Sequence, residues 1–194
     1  MVRKSVPLGA ERRDAIADAA IQLVATRGLR GLTHRAVDAE AGLPPGSTSY
    51  YLRTRQALLG ACLDRLLALD EGAILHASPD VPAADVLVAA VVRIARDRPG
   101  STIARYELAL EATRQPALRA LRDRQAIRLR ATLARVLDGA GIPDSERTSW
   151  PIAAMLDGLL RDRVAGVSAS LSEEAFEESV REAVTALLRG YLAP

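Results

Sequence analysis

The sequence predicts an all-α protein of about nine helices. Hydrophobic residues make up 49% of the 194 residues but aromatic residues only 3%, so a core must consist mainly of Leu, Ala, Val and Ile. These residues recur at helical spacing, which favours helices over strands. Breaks that contain proline or glycine separate the apolar segments at 78–82, 99–100, 139–141 and 166–172. The length suits one large domain or two small ones.

The first helix is predicted from Glu11 to Arg27, after an arm formed by residues 1–10. Gly28 follows it as a typical helix end. One face of this helix is apolar, and its members are Ile16, Ala19, Ala20, Leu23 and Val24.

Residues 32–59 predict two short helices that are joined by a glycine turn. Thr33 can cap the first of them, because its hydroxyl can accept a hydrogen bond from a free backbone amide. Gly42 occupies the position where a helix end favours a left-handed residue, and Leu43 is expected to fill the angle between the helices. The polar segment 47–51 forms the second helix. This is the layout of a helix-turn-helix, whose second helix enters the major groove of DNA.

Further helices are predicted from Thr54 to about His76 and then at 83–98, 101–114, 116–139 and 172–192. Thr54 and Ser172 are expected to cap the helices that begin at these residues. Residues 87–92 are apolar almost all round, so their helix should be buried at the centre of its bundle. Two starts remain open for the eighth helix. Either Ser149 caps it, or it begins near Asp144 and bends at Pro151.

Charge and composition narrow the class of protein. Residues 1–60 hold nine basic and five acidic residues, a net +4, whereas the whole chain carries +2 and the remainder therefore −2. Positive charge thus lies with the helix-turn-helix, as phosphate binding requires. The lone Cys62 excludes an intrachain disulfide and suits a reducing cytoplasm. The chain has no long apolar segment and no signal region, so we expect a cytoplasmic protein without a membrane partner.

An enzyme is the first alternative class. Two histidines, one cysteine and scattered carboxylates form no recognisable triad, metal cluster or phosphate loop. We therefore expect no catalytic residues, no metal and no cofactor.

The segment from Ala15 to about Leu59 resembles the DNA-binding part of TetR/AcrR-family transcriptional regulators. The resemblance depends on the apolar first helix, Ala41-Gly42, Gly46-Ser47, Tyr50-Tyr51 and Arg53-Thr54-Arg55. It implies a helix-turn-helix domain at 1–54 and a ligand-binding and dimerisation domain at 55–194. It also implies a homodimeric repressor that a small-molecule inducer releases from its operator. A helical interaction protein that kept the fold without specific DNA binding remains the alternative.

The resemblance and the helix positions together predict which residues contact DNA. We expect the exposed residues of the short third helix to read base edges, namely Pro45, Gly46, Ser47, Thr48, Ser49 and Tyr50. The expected phosphate contacts are Thr33, His34, Arg35, Tyr50, Tyr51 and Arg55, with Arg3, Lys4 and Arg12 as further candidates. For Tyr51 packing in the core is the alternative, and for His34 plain solvation.

A dimer is expected because one helix-turn-helix reads too few base pairs. Two copies must lie roughly 34–36 Å apart, or a multiple of that distance, on a palindromic double-stranded operator. The predicted interface joins the last two helices of each copy through Leu156, Leu160, Phe176, Val180, Ala183, Leu187 and Tyr191. The alternative is that these residues pack only within their own chain.

An inducer pocket is expected among the middle helices, as the resemblance implies. The polar candidates on otherwise apolar helices are Tyr106, Glu107, Glu111 and Asp157. Leu110 lies on the same side as the first three, Trp150 and Met155 would line a wall, and His76 would lie near the floor. Small apolar or weakly cationic ligands would suit these acids. Simpler alternatives are a surface pair of Glu107 with Arg114, a pair of Asp157 with Arg161 four residues later, and a place in the core for Trp150.

Overall fold

The structure is a computed structural model that describes residues 9–75 and 81–192, with only the backbone at position 75. Arg3, Lys4 and His76 lie outside the described residues. The regular elements of the described part are all helical, which confirms the all-α prediction. They are α1 (Gly9–Gly31), α2 (His34–Glu40), α3 (Ser47–Tyr51), α4 (Arg55–Leu75), α5 (Ala83–Asp97), α6 (Pro99–Ala112), α7 (Pro116–Gly139), α8 (Ser145–Ala165), a 3₁₀ helix (Val167–Ser170) and α9 (Glu173–Leu192).

The first of two compact units consists of residues 9–66 and 104–122. It contains α1 to α3, the first half of α4, the end of α6 and the start of α7. One apolar core runs through it, and its largest buried members include Ile16, Leu23, Leu32, Leu58, Leu59, Leu66, Leu108 and Leu118. The predicted functional division after residue 54 stays a prediction.

Two features shape α1 within this unit. Gly28 has a left-handed φ of 65°, so the regular helix breaks where the sequence predicts and a short turn continues to Gly31. The guanidinium of Arg65 on α4 forms a bidentate pair with Asp18, with both N–O distances at 2.8 Å, and a further contact with Asp14 at 3.1 Å. These ion pairs connect α4 to α1.

The second unit consists of residues 67–75, 81–103 and 123–192. Its α5 packs against α8 and α9. As predicted, α5 is the buried centre. The apolar core of this unit includes one face of α9, formed by Phe176, Val180, Val184 and Leu188.

The start of α8 settles the alternative that the sequence left open. The helix begins at Ser145, directly after Asp144, and Pro151 lies inside it. Ser149 is therefore not a cap, and its hydroxyl donates to the carbonyl oxygen of Glu146 at 2.7 Å. In the described part of the chain, the helices are all too short or too polar to cross a membrane.

Candidate nucleic-acid interface

The entry into α2 and the turn after it have the predicted geometry. Thr33 has an extended backbone, and its Oγ1 accepts a hydrogen bond from the amide of Ala36 at 3.1 Å. Gly42 adopts a left-handed φ of 63°, and Leu43 packs against the first core. The cap and the turn together confirm a helix-turn-helix. Arg35 is exposed in the first turn of α2.

A buried carboxylate that our sequence analysis missed holds the start of α3. Asp38 lies in α2 and is only 4% exposed. Its Oδ2 accepts a hydrogen bond from the amide of Gly46 at 2.7 Å. Its Oδ1 accepts from the amide of Thr48 at 2.7 Å and from the hydroxyl of Thr48 at 2.6 Å. Since Gly46 has no side chain with which to cap α3, Asp38 supplies the cap from the neighbouring helix.

The electrostatics of Asp38 match this role. Burial raises the pKa of Asp38, but the hydrogen bonds from Thr48 and Gly46, with a smaller contribution from His34, lower it below its ordinary value. The carboxylate is therefore ionised near neutral pH. One signal could have revealed it: a short acidic residue in α2 lies eight residues before Gly46, the cap position of α3, where the glycine has no side chain with which to cap.

Most of the residues predicted to read bases are accessible. Pro45, Gly46 and Ser49 are exposed, and Tyr50 is 77% exposed. Ser47 is half-buried, and its hydroxyl donates to the carbonyl oxygen three residues earlier at 2.7 Å. Short α3 therefore presents a polar surface with one exposed aromatic ring, as a base-reading helix requires.

The expectation that Thr48 is exposed is wrong. Its side chain is 0% exposed, because its hydroxyl points inward to the carboxylate of Asp38. Tyr51 is half-buried and packs against the first core, which agrees with the core alternative. Its ring meets that of Tyr50 edge to face, with centroids 5.1 Å apart. The two adjacent tyrosines therefore divide into one inward and one outward ring.

Two of the predicted phosphate contacts donate to backbone carbonyls. Nε2 of His34 lies 2.6 Å from the carbonyl oxygen of Leu52, which ends α3; since a carbonyl only accepts, Nε2 carries the proton. Arg55, the first residue of α4, donates from Nη1 to the carbonyl of Leu32 at 2.5 Å and from Nη2 to that of Leu29 at 2.6 Å. Both side chains therefore connect helix ends, a role that the sequence analysis did not foresee.

The residues predicted to bind a small molecule are divided between the two units. Tyr106, Glu107, Leu110 and Glu111 belong to the first, and Trp150, Met155 and Asp157 to the second. The carboxylate of Glu111 accepts hydrogen bonds from Arg114 at 3.0 Å and from Gln115, and these bonds lower its pKa. Arg114 thus pairs with Glu111 rather than with Glu107. Glu111 therefore forms an ion pair with Arg114, just after the end of its own helix α6.

Trp150 does not occupy the core that the simpler alternative assigned to it. Its ring is 56% exposed, and the guanidinium carbon of Arg130 lies 5.6 Å from the ring centroid. With Ile127 and Ala131 it lines a groove of about 740 Å³ between α7 and α8. Met155 instead packs against the second core. The structure therefore does not bring these two predicted ligand residues together in that groove.

The predicted dimer residues of α9 combine two different faces. Phe176 and Val180 are buried in the second core of their own chain, as is Leu160 of α8. Their assignment to a dimer interface is wrong, because the inward stripe of α9 continues at every fourth residue. The half-buried residues of the predicted set are Leu156, Ala183, Leu187 and Tyr191. Only these four of the set keep side-chain surface for a partner.

Comparisons with known proteins extend the likeness over nearly the whole chain. The family model described as the C-terminal domain of tetracyclin repressor-like proteins matches residues 78–190. The HTH-type transcriptional regulator BetI of Rhizobium meliloti (strain 1021) is 30% identical over 185 residues, which cover 92% of this chain and 90% of BetI.

Solved structures show the same fold. A TetR-family member from Streptomyces coelicolor A3 is 29% identical with a TM-score of 0.70, and the match covers 91% of this chain and 98% of that one. The multidrug binding protein EbrR in complex with imidazole is 30% identical with a TM-score of 0.64, covering 94% and 96%. Other similar EbrR structures hold proflavin or ethidium. With its helix-turn-helix and these matches along both units, the chain belongs to the TetR family of ligand-responsive, DNA-binding transcriptional regulators.

Proposed function

We propose that this protein is a homodimeric repressor that reads a palindromic operator with α3 and leaves it when a small-molecule inducer binds. The observation that carries the proposal is the way α3 is held. Asp38 fixes its inner side through three hydrogen bonds, while Ser49 and Tyr50 on its outer side are exposed. A helix that is rigidly held and outwardly polar is suited to insertion into a major groove.

Each exposed group has a specific proposed role. Pro45 can pack against a thymine methyl group, and the hydroxyls of Ser47 and Ser49 can pair with base edges. Thr33 and Arg35, at the amino end of α2, contact phosphate, because helix amides and a free guanidinium both favour anions there. Tyr50 adds a phosphate or sugar contact from the far end of α3.

The dimer is proposed to form through the outer faces of α8 and α9. Leu156, Ala183, Leu187 and Tyr191 border these faces and are half-buried in the single chain. Association would remove their remaining apolar surface from water, which favours binding by roughly 25 cal/mol per Å². A two-fold axis through this four-helix interface would give two copies of α3 the same orientation on symmetric half-sites.

The inducer is proposed to be a small apolar or weakly cationic molecule, with Tyr106 and Glu107 of α6 among its contacts. The relative EbrR has been solved with imidazole, proflavin and ethidium. Here α4, α6 and α7 each contribute residues to both units, so a ligand that shifts one of them acts directly on the unit that carries α3. Release from DNA requires that the ligand bind the DNA-free conformation of the protein more tightly than the DNA-bound conformation. We also propose that the protein acts in the cytoplasm, as a DNA-binding regulator of this family would.

The test is selection of binding sites from random duplex DNA with the full chain, followed by gel shifts at several salt concentrations. We expect one palindromic motif and a dimer in sedimentation. Ser49→Ala should change the preferred base at one position of each half-site, whereas the buried-site control Thr48→Val should not. A chain that shows no sequence preference would instead be a helical interaction protein.

Ligand response is tested on the same complex. Proflavin, ethidium, imidazole and a metabolite panel are added to the protein–operator complex and, separately, to the free protein in thermal unfolding. An inducer raises the unfolding midpoint and releases the operator. If compounds that raise the midpoint never weaken operator binding, the inducer part of the proposal is wrong.

A further inference from the structure

Two arginines stand on either side of Thr54, where α3 gives way to α4, and the structure treats them differently. Arg55 donates hydrogen bonds from its two terminal nitrogens to the carbonyl oxygens of Leu29 and Leu32. Leu29 lies in the last turn of α1 and Leu32 directly follows that helix, and a cation is favoured at the carboxyl end of a helix. The guanidinium of Arg55 is therefore oriented by α1.

Arg53 has the opposite surroundings. It is exposed, and no residue in the described part of the chain forms a hydrogen bond or ion pair with it. It lies three residues after Tyr50, between Leu52, which ends α3, and Thr54, whose hydroxyl caps α4 by accepting from the amide of Ala57 at 3.0 Å. Its charge and its donors are available to a phosphate.

We propose that Arg53 makes the phosphate contact beside α3 and that Arg55 is a positioning residue, which sets the angle between α4 and the helix-turn-helix. The proposal rests on the proposed DNA-binding function. Leu32 is fully buried and immediately precedes the cap of α2, so a group held on its carbonyl is held against the start of the reading device. Arg55 thus acts on DNA through the placement of α2 and α3.

An ion pair between the same two helices completes the arrangement. Arg65 lies ten residues further along α4, or about 15 Å, and pairs with Asp18 near the middle of α1. Two attachments at that separation determine the angle between the helices as well as their distance. Loss of the Arg55 attachment frees the end of α4 that adjoins α3, whereas the Arg65 attachment remains.

Lysine distinguishes the two roles. A phosphate contact needs a positive charge and tolerates lysine, because an ammonium binds phosphate as a point charge. The Arg55 attachment uses two different nitrogens on two carbonyls, which a single ammonium does not reproduce. Arginine-to-lysine exchange should therefore be harmless at position 53 and damaging at position 55.

The experiment compares four variants of the full chain: Arg53→Lys, Arg53→Ala, Arg55→Lys and Arg55→Ala. Affinity is measured for the selected operator and for random duplex at several salt concentrations. The temperature is kept below the thermal unfolding midpoint of each variant. Arg53→Ala should make the negative slope of log affinity against log salt shallower by about 0.9, the value for one phosphate. It should leave the unfolding midpoint and the ratio of operator affinity to random-duplex affinity unchanged. Arg53→Lys should match the wild type.

Both Arg55 variants should retain the wild-type salt slope. They should unfold at lower temperature, because hydrogen bonds to the carbonyls of Leu29 and Leu32 are lost. They should also lose about tenfold in the operator-to-random ratio, or about 1.4 kcal/mol of specific binding free energy, because α2 and α3 are no longer held in place. A residue with a purely structural role would lower the midpoint and leave this ratio unchanged.

Wild-type behaviour of Arg55→Lys, or an unchanged salt slope in Arg53→Ala, would overturn the proposal. If the wild type does not prefer any duplex, the proposed function and the Arg53 contact both fail. The unfolding midpoint of Arg55→Lys then still decides whether the attachment to α1 exists.

Discussion

Replacement of Asp38 by asparagine removes the charge that holds α3 while it preserves the shape of the side chain. In the wild type, two backbone amides and one hydroxyl donate to this carboxylate at 2.6 to 2.7 Å. If the remaining amide oxygen faces Thr48, the new NH₂ group faces the amide of Gly46, so two donors oppose each other. The asparagine side chain would thus retain at most the two Thr48 bonds, now without a charged acceptor.

The size of the effect follows from the number of bonds. A buried hydrogen bond to a charged group contributes about 1.5–3 kcal/mol, and an unsatisfied buried donor costs about 1–3 kcal/mol. We therefore expect Asp38→Asn to lower the free energy of unfolding by about 2–3 kcal/mol. Thr48→Val, which removes only the hydroxyl donor at a fully buried site, should cost about 1.5 kcal/mol, the low end of the range for a bond to a charged group, because the carboxylate keeps both of its amide donors.

Urea unfolding followed by circular dichroism measures both changes. Trp150 lies in the second unit, so its native fluorescence should be unaltered and serves as a control that this unit is intact. Operator affinity at a temperature where both variants are folded should fall more for Asp38→Asn than for Thr48→Val. If Asp38→Asn lies within about 0.5 kcal/mol of the wild type, Asp38 does not hold α3.

Three further predictions concern the first unit. Arg65→Ala should lower the free energy of unfolding by about 1–2 kcal/mol through loss of the partly buried pair with Asp18, whereas Arg13→Ala, an exposed control on α1, should change it by less than about 0.5 kcal/mol; equal effects would contradict this. Burial raises the pKa of Cys62 to about 12, so its thiol should resist an aromatic disulfide reagent at pH 8 until urea unfolds the chain, and rapid labelling of the native protein would refute that. Because the folded pKa of Asp38 is lowered, its stabilisation is complete above the unfolded value of about 3.9 and is lost as pH falls through the folded value, so the difference in unfolding free energy between wild type and Asp38→Asn should shrink in acid; a difference that stays constant from pH 7 to pH 3 would argue against it.

Local signals in the sequence predicted the caps and the turn. Thr33, Thr54 and Ser172 each accept a hydrogen bond from an amide three residues later, as their positions indicate. Gly28 and Gly42 take the left-handed backbone that ends or turns a helix. Such features depend on a few adjacent residues, so the local sequence is sufficient to predict them.

Features that depend on distant parts of the chain were not predictable in the same way. Thr48 is a polar residue in a polar helix and is therefore expected to be an exposed base contact. Its side chain points inward because its hydroxyl donates to Asp38, ten residues earlier. The acceptors of Arg55 are carbonyl oxygens, which every residue has and no pattern distinguishes. On α9, steps of three and four residues are both helical, so the sequence does not say whether Val180 continues to Ala183 or to buried Val184.

The core that supports the helix-turn-helix is completed from far along the chain, since Ala104, Leu108, Ala112 and Leu118 belong to it. A fragment that stopped at residue 66 would lack this cover and would leave apolar surface open to aggregation. A chimera that joins this DNA-binding unit to the ligand-binding domain of another protein must therefore include residues 104–122 as well, and so needs more than one junction.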